Sequence, residues 1–244
     1  MKRKNLNLLF ILLMGLSFGM TSCDGDGFFG DCTNGEGSVV TQTLNIEHFN
    51  GIELDISDNV HIRQGSEQFV EVTGHANIIE KLKTDVNNNI WKIDLENGCY
   101  NNYELEIFIT LPKVRGIKID GSGDVFGENL FSGEEIDLEI DGSGNLIAAL
   151  DYDKIKGDID GSGDMSLKGQ AQNLDFRIDG SGNLSAFDLT VDHADVRIDG
   201  SGDISITVLN TLNVTINGSG DVKYKGNPFL EVDIDGSGDV SDAN

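Results

Sequence analysis

The stretch that decides the fold is Ile198-Asp199-Gly200-Ser201-Gly202-Asp203-Ile204, because the chain contains seven close copies of it. The Gly-Ser-Gly tripeptides recur at intervals of 18 to 21 residues and begin at Gly121, Gly142, Gly161, Gly180, Gly200, Gly218 and Gly236. The residue two positions before the first glycine is always Ile, and the residue four positions after it is always apolar. Apolar side chains at even offsets are typical of β-strands with one buried face. Each copy therefore predicts a strand, a glycine-rich bend and a second strand.

A repeat of 18 to 21 residues is too short to bury its own apolar side chains, so neighbouring copies must stack. We predict an all-β chain, with residues 113–244 forming a right-handed parallel β-helix, or β-solenoid, of one coil per repeat. At a strand spacing of about 4.8 Å, seven coils would measure about 34 Å. A meander of seven hairpins is the alternative, but an Ile column fits the identical environments of a parallel stack better.

Residues 39–112 alternate apolar and polar side chains without the clean repeat, which predicts a less regular N-terminal β lobe. Within it, Ile78, Ile79 and Leu82 have the spacing of a short amphipathic helix over residues 76–86. Such a helix would cover an end of the solenoid or an exposed strand edge.

The chain begins with the pattern of an exported lipoprotein. Residues 1–22 combine a basic start, Lys2-Arg3-Lys4, with an apolar run too short to span a bilayer, which indicates a signal peptide. The small residues leading to Cys23 resemble the lipobox of bacterial lipoproteins, so we expect a diacylated or triacylated Cys23 that anchors the chain to a membrane, with residues 23–38 as a flexible linker. Ordinary cleavage that leaves Cys23 as a free thiol is the alternative.

Removal of Cys23 by lipidation leaves Cys32 and Cys99 as an even pair in an oxidising compartment. A disulfide between them would tie the N-terminal tail to the lobe. Two unpaired thiols remain the alternative, since the sequence does not fix the distance between their Cα atoms.

The charge of the chain excludes several partners. Its 42 acidic and 17 basic residues give a net charge of −25, and cleavage before Cys23 removes three of the basic residues. So acidic a surface repels the phosphates of nucleic acids, and we expect no nucleic-acid partner. Cations, cationic partners and neutral sugars stay compatible with it. The 31 glycines lack the period of collagen, and 14 of them belong to the seven bends.

Acidic side chains flank every bend, in one column before the first glycine and another after the second. Neighbouring like charges about 4.8 Å apart repel by roughly 1 kcal/mol even in water, so something must relieve these columns. Asn interruptions, partial protonation, nearby Lys118, Arg177 and Arg197, or bound cations could do so. Calcium takes several oxygen ligands, and its candidate ligands here are Asp120, Asp124, Asp141, Asp160, Asp164, Asp179, Asp199 and Asp203. The spacing lacks the glycine and the closing Glu of an EF-hand, so solvated turns are the favoured interpretation and no cofactor is expected.

No catalytic motif stands out in the sequence. His48, His61, His75 and His193 are scattered, which suggests ordinary surface side chains, and no nucleophile elbow or metalloprotease motif occurs. Trp91, Tyr100 and Tyr103 could form a sugar-stacking patch, but packing within the N-terminal lobe is the simpler expectation.

With these features in view, the chain resembles the family described as "putative auto-transporter adhesin, head GIN domain". The resemblance lies in Phe49-Asn50-Gly51-Ile52-Glu53-Leu54, in residues 59–65 and 107–112, and in the Gly-Ser-Gly-Asp series up to Gly226-Asn227-Pro228. It implies an exported β-helical protein of Gram-negative envelopes, without catalytic residues. The expected function is a non-catalytic, adhesin-like binding or structural module for a glycan, matrix or envelope partner, lipid-anchored in the cell envelope, in the outer membrane, with the face of the membrane left open. A carbohydrate-active β-helix enzyme and a calcium-dependent scaffold are the alternatives.

Overall fold

Strands occupy most of residues 32–244, the part of the chain that the computed structural model describes. Before the repeats the elements are short, namely β1 (Thr33–Asn34), β2 (Val39–Leu44), β3 (Gly51–Leu54), β4 (Asn59–Gln64), β5 (Phe69–His75), α1 (Ala76–Ile79), β6 (Val86–Asn87), β7 (Ile90–Ile93), β8 (Tyr100–Asn101) and β9 (Leu105–Leu111). The repeats contain β10 (Gly116–Ile119), β11 (Val125–Gly142), β12 (Leu146–Gly161), β13 (Met165–Gly180), β14 (Leu184–Gly200), β15 (Ile204–Gly218), β16 (Val222–Lys225), β17 (Phe229–Gly236) and β18 (Val240–Asp242). The signal peptide and Cys23 lie outside the described residues.

The repeats stack as parallel strands in register. Ile159 lies opposite Ile178, and Ile178 lies opposite Ile198, so the Ile column of the sequence is a column in space. Every pairing among β10 to β18 is parallel. A hairpin meander would give antiparallel pairs. The predicted β-solenoid is therefore confirmed, and the meander is excluded.

The core of each coil follows from the alternation within its strand. Along β12, Leu146, Ala148 and Leu150 are buried, then Tyr152, and then Ile155 three positions later. Two successive side chains therefore point outward between Tyr152 and Ile155, which shifts the alternation by one residue. This shift marks a corner of the coil, where one long strand wraps from one face of the solenoid to the next.

The N-terminal lobe belongs to the same stack, but its coils are not in chain order. β3 lies between β7 and β10, and β4 lies between β9 and β11, all in parallel. The chain thus forms one coil with β3 and β4 and then the next coil outward with β7 and β9. It returns past the first coil and continues with β10 and β11 on the opposite side of that coil. The predicted division between residues 39–112 and 113–244 falls inside this continuous sheet.

The outer end of the lobe is covered. β5 pairs antiparallel with β9 on one side and with β2 on the other, and β6 forms a hairpin with β7. The predicted helix over residues 76–86 is wrong in length, since α1 spans only Ala76–Ile79. Leu82 instead makes an antiparallel bridge to Leu95, and Asn88 and Asn89 take positive φ angles of 52° and 65°, as a tight β-hairpin turn requires.

A disulfide joins Cys32 to Cys99, with their Cα atoms 4.6 Å apart. Next to it, β1 pairs with β8. This bond attaches the start of the described chain to the lobe. Within residues 32–244, no helix is long and apolar enough to cross a membrane.

Candidate functional site

The Gly-Ser-Gly bends stack directly on one another, which leaves no room for side chains at their glycines from Gly142 onward. A Cβ on Gly182 would lie 2.1 Å from the carbonyl oxygen of Gly163 and 2.6 Å from a methyl carbon of Ile159. The serine between the two glycines is exposed in all seven bends. The bends are therefore structural on their inner side and present a hydroxyl column to solvent on their outer side.

The acidic column after the second glycine is occupied by hydrogen bonds to the next coil. The backbone N–H and the Nδ2 of Asn145 both donate to Asp124 Oδ1, each at 2.8 Å. Asn183 donates to Asp164 in the same way, and the backbone N–H of Asp221 donates to Asp203 at 2.9 Å. Alternating Asn residues and backbone amides thus relieve the repulsion that the sequence predicts.

The column before the first glycine is relieved by cations and amides. Arg197 Nε donates to Asp199 Oδ2 at 2.6 Å, and Asn217 Nδ2 donates to Asp199 Oδ1 at 2.7 Å. These two partners hold the pKa of Asp199 at about 2, well below its ordinary value. Arg177 lies 2.9 Å from Asp179, which repeats the arrangement one coil earlier. The nearby basic residues and the Asn interruption named in the sequence analysis therefore act as expected.

The predicted calcium ligands are spread along the length of the solenoid. Asp120, Asp141, Asp160, Asp179 and Asp199 lie in one column, and Asp124, Asp164 and Asp203 lie in the other. Among residues 32–244, no three side chains of the His, Cys, Asp and Glu types come together as a metal site would need. Calcium binding by these columns stays a prediction that the geometry does not favour.

A stack of rings around His61 is a feature that the sequence analysis missed. The His61 ring lies between Phe108 and Phe126, with ring centroids 4.8 and 5.1 Å away and nearly parallel planes. Its Nε2 is 3.0 Å from Glu106 Oε1 and its Nδ1 is 2.7 Å from Glu128 Oε1. Because β4 lies between β9 and β11, this stack joins three coils through one side chain. The His61 ring is covered on both faces, whereas Phe108 at one end of the stack is 37% exposed.

The aromatic residues of the N-terminal lobe are mainly structural. Trp91 is fully buried, and its Nε1 donates to the carbonyl oxygen of Lys83 at 3.0 Å. Burial raises the pKa of Tyr103 to about 12, so its hydroxyl stays protonated and donates to Asp58 at 2.9 Å. Tyr100 meets Tyr103 edge-on. These contacts agree with packing of the lobe rather than with a sugar-stacking patch.

Of the shallow grooves of about 500 Å³ in the described residues, two lie on different faces of the regular coils. One runs along the serine face, over the column that contains Asn145, Asp164 and Asn183 and the neighbouring Ser166 and Ser185. The other lies on the strands before the bends and contains both acidic and basic groups, from Asp137, Glu139, Lys156, Asp158, Asp175 and Arg177.

The charged groove is the arrangement that the enzyme alternative predicts. Glu139 and Asp158 occupy neighbouring coils at the same column, opposite each other in register. Burial raises the pKa of Asp158 above its ordinary value, although the charge of Arg177 opposes the shift. Lys156, however, lies 2.7 Å from Glu135 and 3.5 Å from Asp137, so it neutralises carboxylates of the flat surface.

Several solved structures share this fold. A "putative adhesin" from Bacteroides fragilis aligns with a TM-score of 0.81 and 25% identity, over 86% of this chain and 99% of its own. A "putative lipid binding protein" from Parabacteroides distasonis aligns with a TM-score of 0.73 and 23% identity, over 87% of this chain and 99% of its own. A "putative adhesin" from Parabacteroides merdae aligns with a TM-score of 0.69 and 21% identity, over 88% and 100%. The last two likenesses concern the fold alone.

No curated protein is significantly similar to the chain in sequence. The profile of the family described as "Putative auto-transporter adhesin, head GIN domain" matches residues 48–228. That range begins just before β3 and ends just before β17, so it contains both the interleaved coils and most of the Gly-Ser-Gly stack. The chain therefore belongs to this head GIN domain family.

Proposed function

We propose that this protein is a lipid-anchored surface module of the cell envelope, which binds an extended glycan or a matrix or envelope protein without catalysing a reaction. Its family is one of adhesin-like proteins, which favours a location at the cell surface or in the envelope. The B. fragilis adhesin-like structure, matched over nearly its whole length, supports the same role.

The observation that carries this proposal is the flat serine face. Each coil adds one exposed Ser in the bend and one outward residue on the following strand, such as Ser166, Ser185 and Ser205, which lie opposite one another in register. Hydroxyl and amide groups repeated every 4.8 Å or so can hydrogen-bond an elongated polar ligand at several points. Once one contact has formed, the other groups of the same ligand are held at a high effective concentration near the neighbouring coils. Several weak contacts can therefore give a flat surface without a deep pocket a high overall affinity.

A lipid on Cys23 would hold the N-terminal lobe close to the membrane. If Cys23 carries the lipid, nine residue steps separate it from Cys32, which the disulfide fixes to Cys99. Even fully extended, those steps span only about 32 Å. The Gly-Ser-Gly coils lead away from this attachment, so their faces would be available to a partner outside the bilayer.

Binding is tested with the purified chain lacking residues 1–23, on arrays of glycans and of matrix proteins. We expect saturable binding to at least one class of extended polar ligand, and its loss in Ser185→Tyr, which places a bulky ring on the serine face. Asp175→Tyr puts the same ring on the charged groove instead and serves as the matched control. If the unaltered chain bound no ligand on either array, this result would contradict the adhesin-like role.

The anchor has its own test. In a bacterial host, metabolic labelling with palmitate should mark the unaltered chain and leave Cys23→Ala unlabelled and released from the membrane fraction. Equal membrane association of both proteins would contradict lipidation at Cys23 as the anchor.

A carbohydrate-active enzyme is the second candidate, and Asp158 is the observation that favours it. A carboxyl group whose pKa is raised, next to Glu139 in register, has the composition of a glycosidase acid and nucleophile pair. Release of reducing ends from polysaccharides, abolished in Asp158→Asn and unchanged in Asp188→Asn, an exposed residue outside the charged groove, would establish this activity. If no reducing ends were released from any of a panel of polysaccharides, the enzyme hypothesis would be rejected.

A further inference from the structure

The two ends of the solenoid differ in how their strands are paired. The N-terminal end is covered by β5, β2 and the hairpin of β6 with β7. At the other end, β17 pairs only with β15 and β18 pairs only with β16. Within residues 32–244 the stack thus ends in an open edge, defined by β17 (Phe229–Gly236).

The apolar columns of the core are uncovered at this edge. Val232 and Ile234 are 41% and 39% exposed, although they continue the columns of Val214 and Ile216, which are 2% and 0% exposed one coil earlier. Phe229 is 72% exposed. In every earlier coil the positions of Val232 and Ile234 are buried by the coil that follows, so a further strand would bury these two residues in the same way, whereas Phe229 continues the outward column of His193 and Thr211.

The edge also offers free backbone hydrogen-bonding groups at its inward positions. In this stack the outward residues donate their N–H groups to the preceding coil, as Asp137 does to Arg115 at 3.0 Å and Ser237 does to Gly218 at 2.8 Å. Alternate residues of a parallel strand bond to opposite neighbours. The N–H groups of Leu230, Val232 and Ile234 therefore face the open edge.

After Phe229, the outward side chains of the edge are acidic. Glu231, Asp233 and Asp235 alternate with the three apolar residues, and their partners on β15 are Asn213, Thr215 and Asn217, none of which is a cation. Elsewhere in the stack some acidic residues pair with a base on a neighbouring coil, as Glu139 does with Lys118 at 2.7 Å. The position where such bases would stand is the strand beyond β17.

We infer that the β17 edge binds an extended segment of another protein in which apolar residues alternate with Lys or Arg. The segment adds a strand to the sheet, its apolar residues cover Val232 and Ile234, and its bases pair with the acidic column. A second copy of this chain fits poorly, because its open edge carries the same acids and its other end is covered. This site is separate from the serine face and does not depend on the function proposed for that face.

The probe is a fluorescent, end-blocked peptide of eight residues that alternates Val with Lys, and its control alternates Val with Glu. Fluorescence anisotropy with the chain lacking residues 1–23 should show saturable binding of the basic peptide, weakening as salt rises, and at least tenfold weaker binding of the acidic one. Equal binding of the two peptides, or binding of neither, would overturn the inference.

Val232→Pro is the decisive variant, because it removes an N–H that the chain itself does not use and is tolerated on an edge strand. It should weaken peptide binding at least tenfold while the melting temperature stays within a few degrees. Asp233→Lys together with Asp235→Lys should reverse the preference between the peptides. Ile147→Ser, at an exposed apolar residue far from the edge, is the control and should bind like the unaltered chain. If Val232→Pro binds normally, or if it instead dissociates a dimer seen by light scattering, the basic segment is not the occupant.

Discussion

Two glycines at the same place in the repeat should differ strongly in their response to substitution by alanine. A Cβ at Gly180 would lie 2.3 Å from the carbonyl oxygen of Gly161, and Gly180 has a φ of +142°, which side chains disfavour. At Gly121, the first bend, the nearest atom to a Cβ is the carbonyl oxygen of Ile56 at 3.5 Å, an ordinary contact, because the coil beneath has no Gly-Ser-Gly bend.

The magnitude for Gly180→Ala follows from these contacts. The oxygen that the methyl group would displace accepts hydrogen bonds from Ser181 at 2.8 Å and from Gly182 at 3.2 Å, so relief by separating the coils would weaken both. Overpacking costs about 1–3 kcal/mol, and a residue held in a disfavoured backbone conformation costs about 1–3 kcal/mol. We expect a loss of about 4 kcal/mol in the free energy of unfolding. For Gly121→Ala we expect a change of no more than about 1 kcal/mol, since alanine at a compatible site restricts the unfolded chain.

Thermal and urea unfolding followed by far-UV circular dichroism measure both variants. In a chain of this size 1 kcal/mol corresponds to about 2–4 °C, so Gly180→Ala should lower the melting temperature by about 8–16 °C and Gly121→Ala by no more than about 4 °C. Equal shifts in the two variants would refute the argument that stacked glycine backbones set the spacing of the coils.

Three further outcomes test the contacts described above. Cys99→Ser should lower the free energy of unfolding by about 4 kcal/mol, because the Cys32 disulfide closes a loop with a sequence separation of 67, and unfolding with and without reductant checks this. The pKa of Asp199 is lowered in the folded state, so its contribution to stability is present above its ordinary pKa and is lost as pH falls from about 4 towards 2. Arg197→Gln should therefore flatten that part of the pH profile of the free energy of unfolding, measured in urea. His61→Ala removes two ring contacts and should cost about 1–3 kcal/mol, whereas His61→Phe, which keeps the stack, should cost less; equal losses would show that the stack itself contributes nothing.

The regular half of the fold could be predicted because its residues repeat. An Ile two positions before every bend, from Ile119 to Ile234, requires the same environment at every coil, and only a parallel stack supplies it. The acidic columns and their relief by Arg177, Arg197 and Asn217 follow from the same periodicity. Side chains that repeat along the sequence also repeat along the solenoid axis.

The N-terminal lobe could not be predicted in the same way, because its coils do not follow one another along the chain. His61 meets Phe108 and Phe126 only because β4 lies between β9 and β11, and no local pattern of the sequence records that order. The predicted helix extends too far because the spacing of Ile78, Ile79 and Leu82 fits one helical face, while the positive φ angles of Asn88 and Asn89 form a hairpin turn that the spacing does not reveal.

The interleaved coil of β3 and β4 also constrains the order in which the chain can fold. Its strands cannot gain partners on both edges until Gly127 has been made, since β4 pairs with residues of β11 up to that position. Contacts between distant parts of a chain form slowly, whereas stacked repeats can nucleate at any coil and grow from there. We therefore expect the regular repeats to fold first and the lobe to be assembled onto them, so that segments synthesised early reach their native partners late.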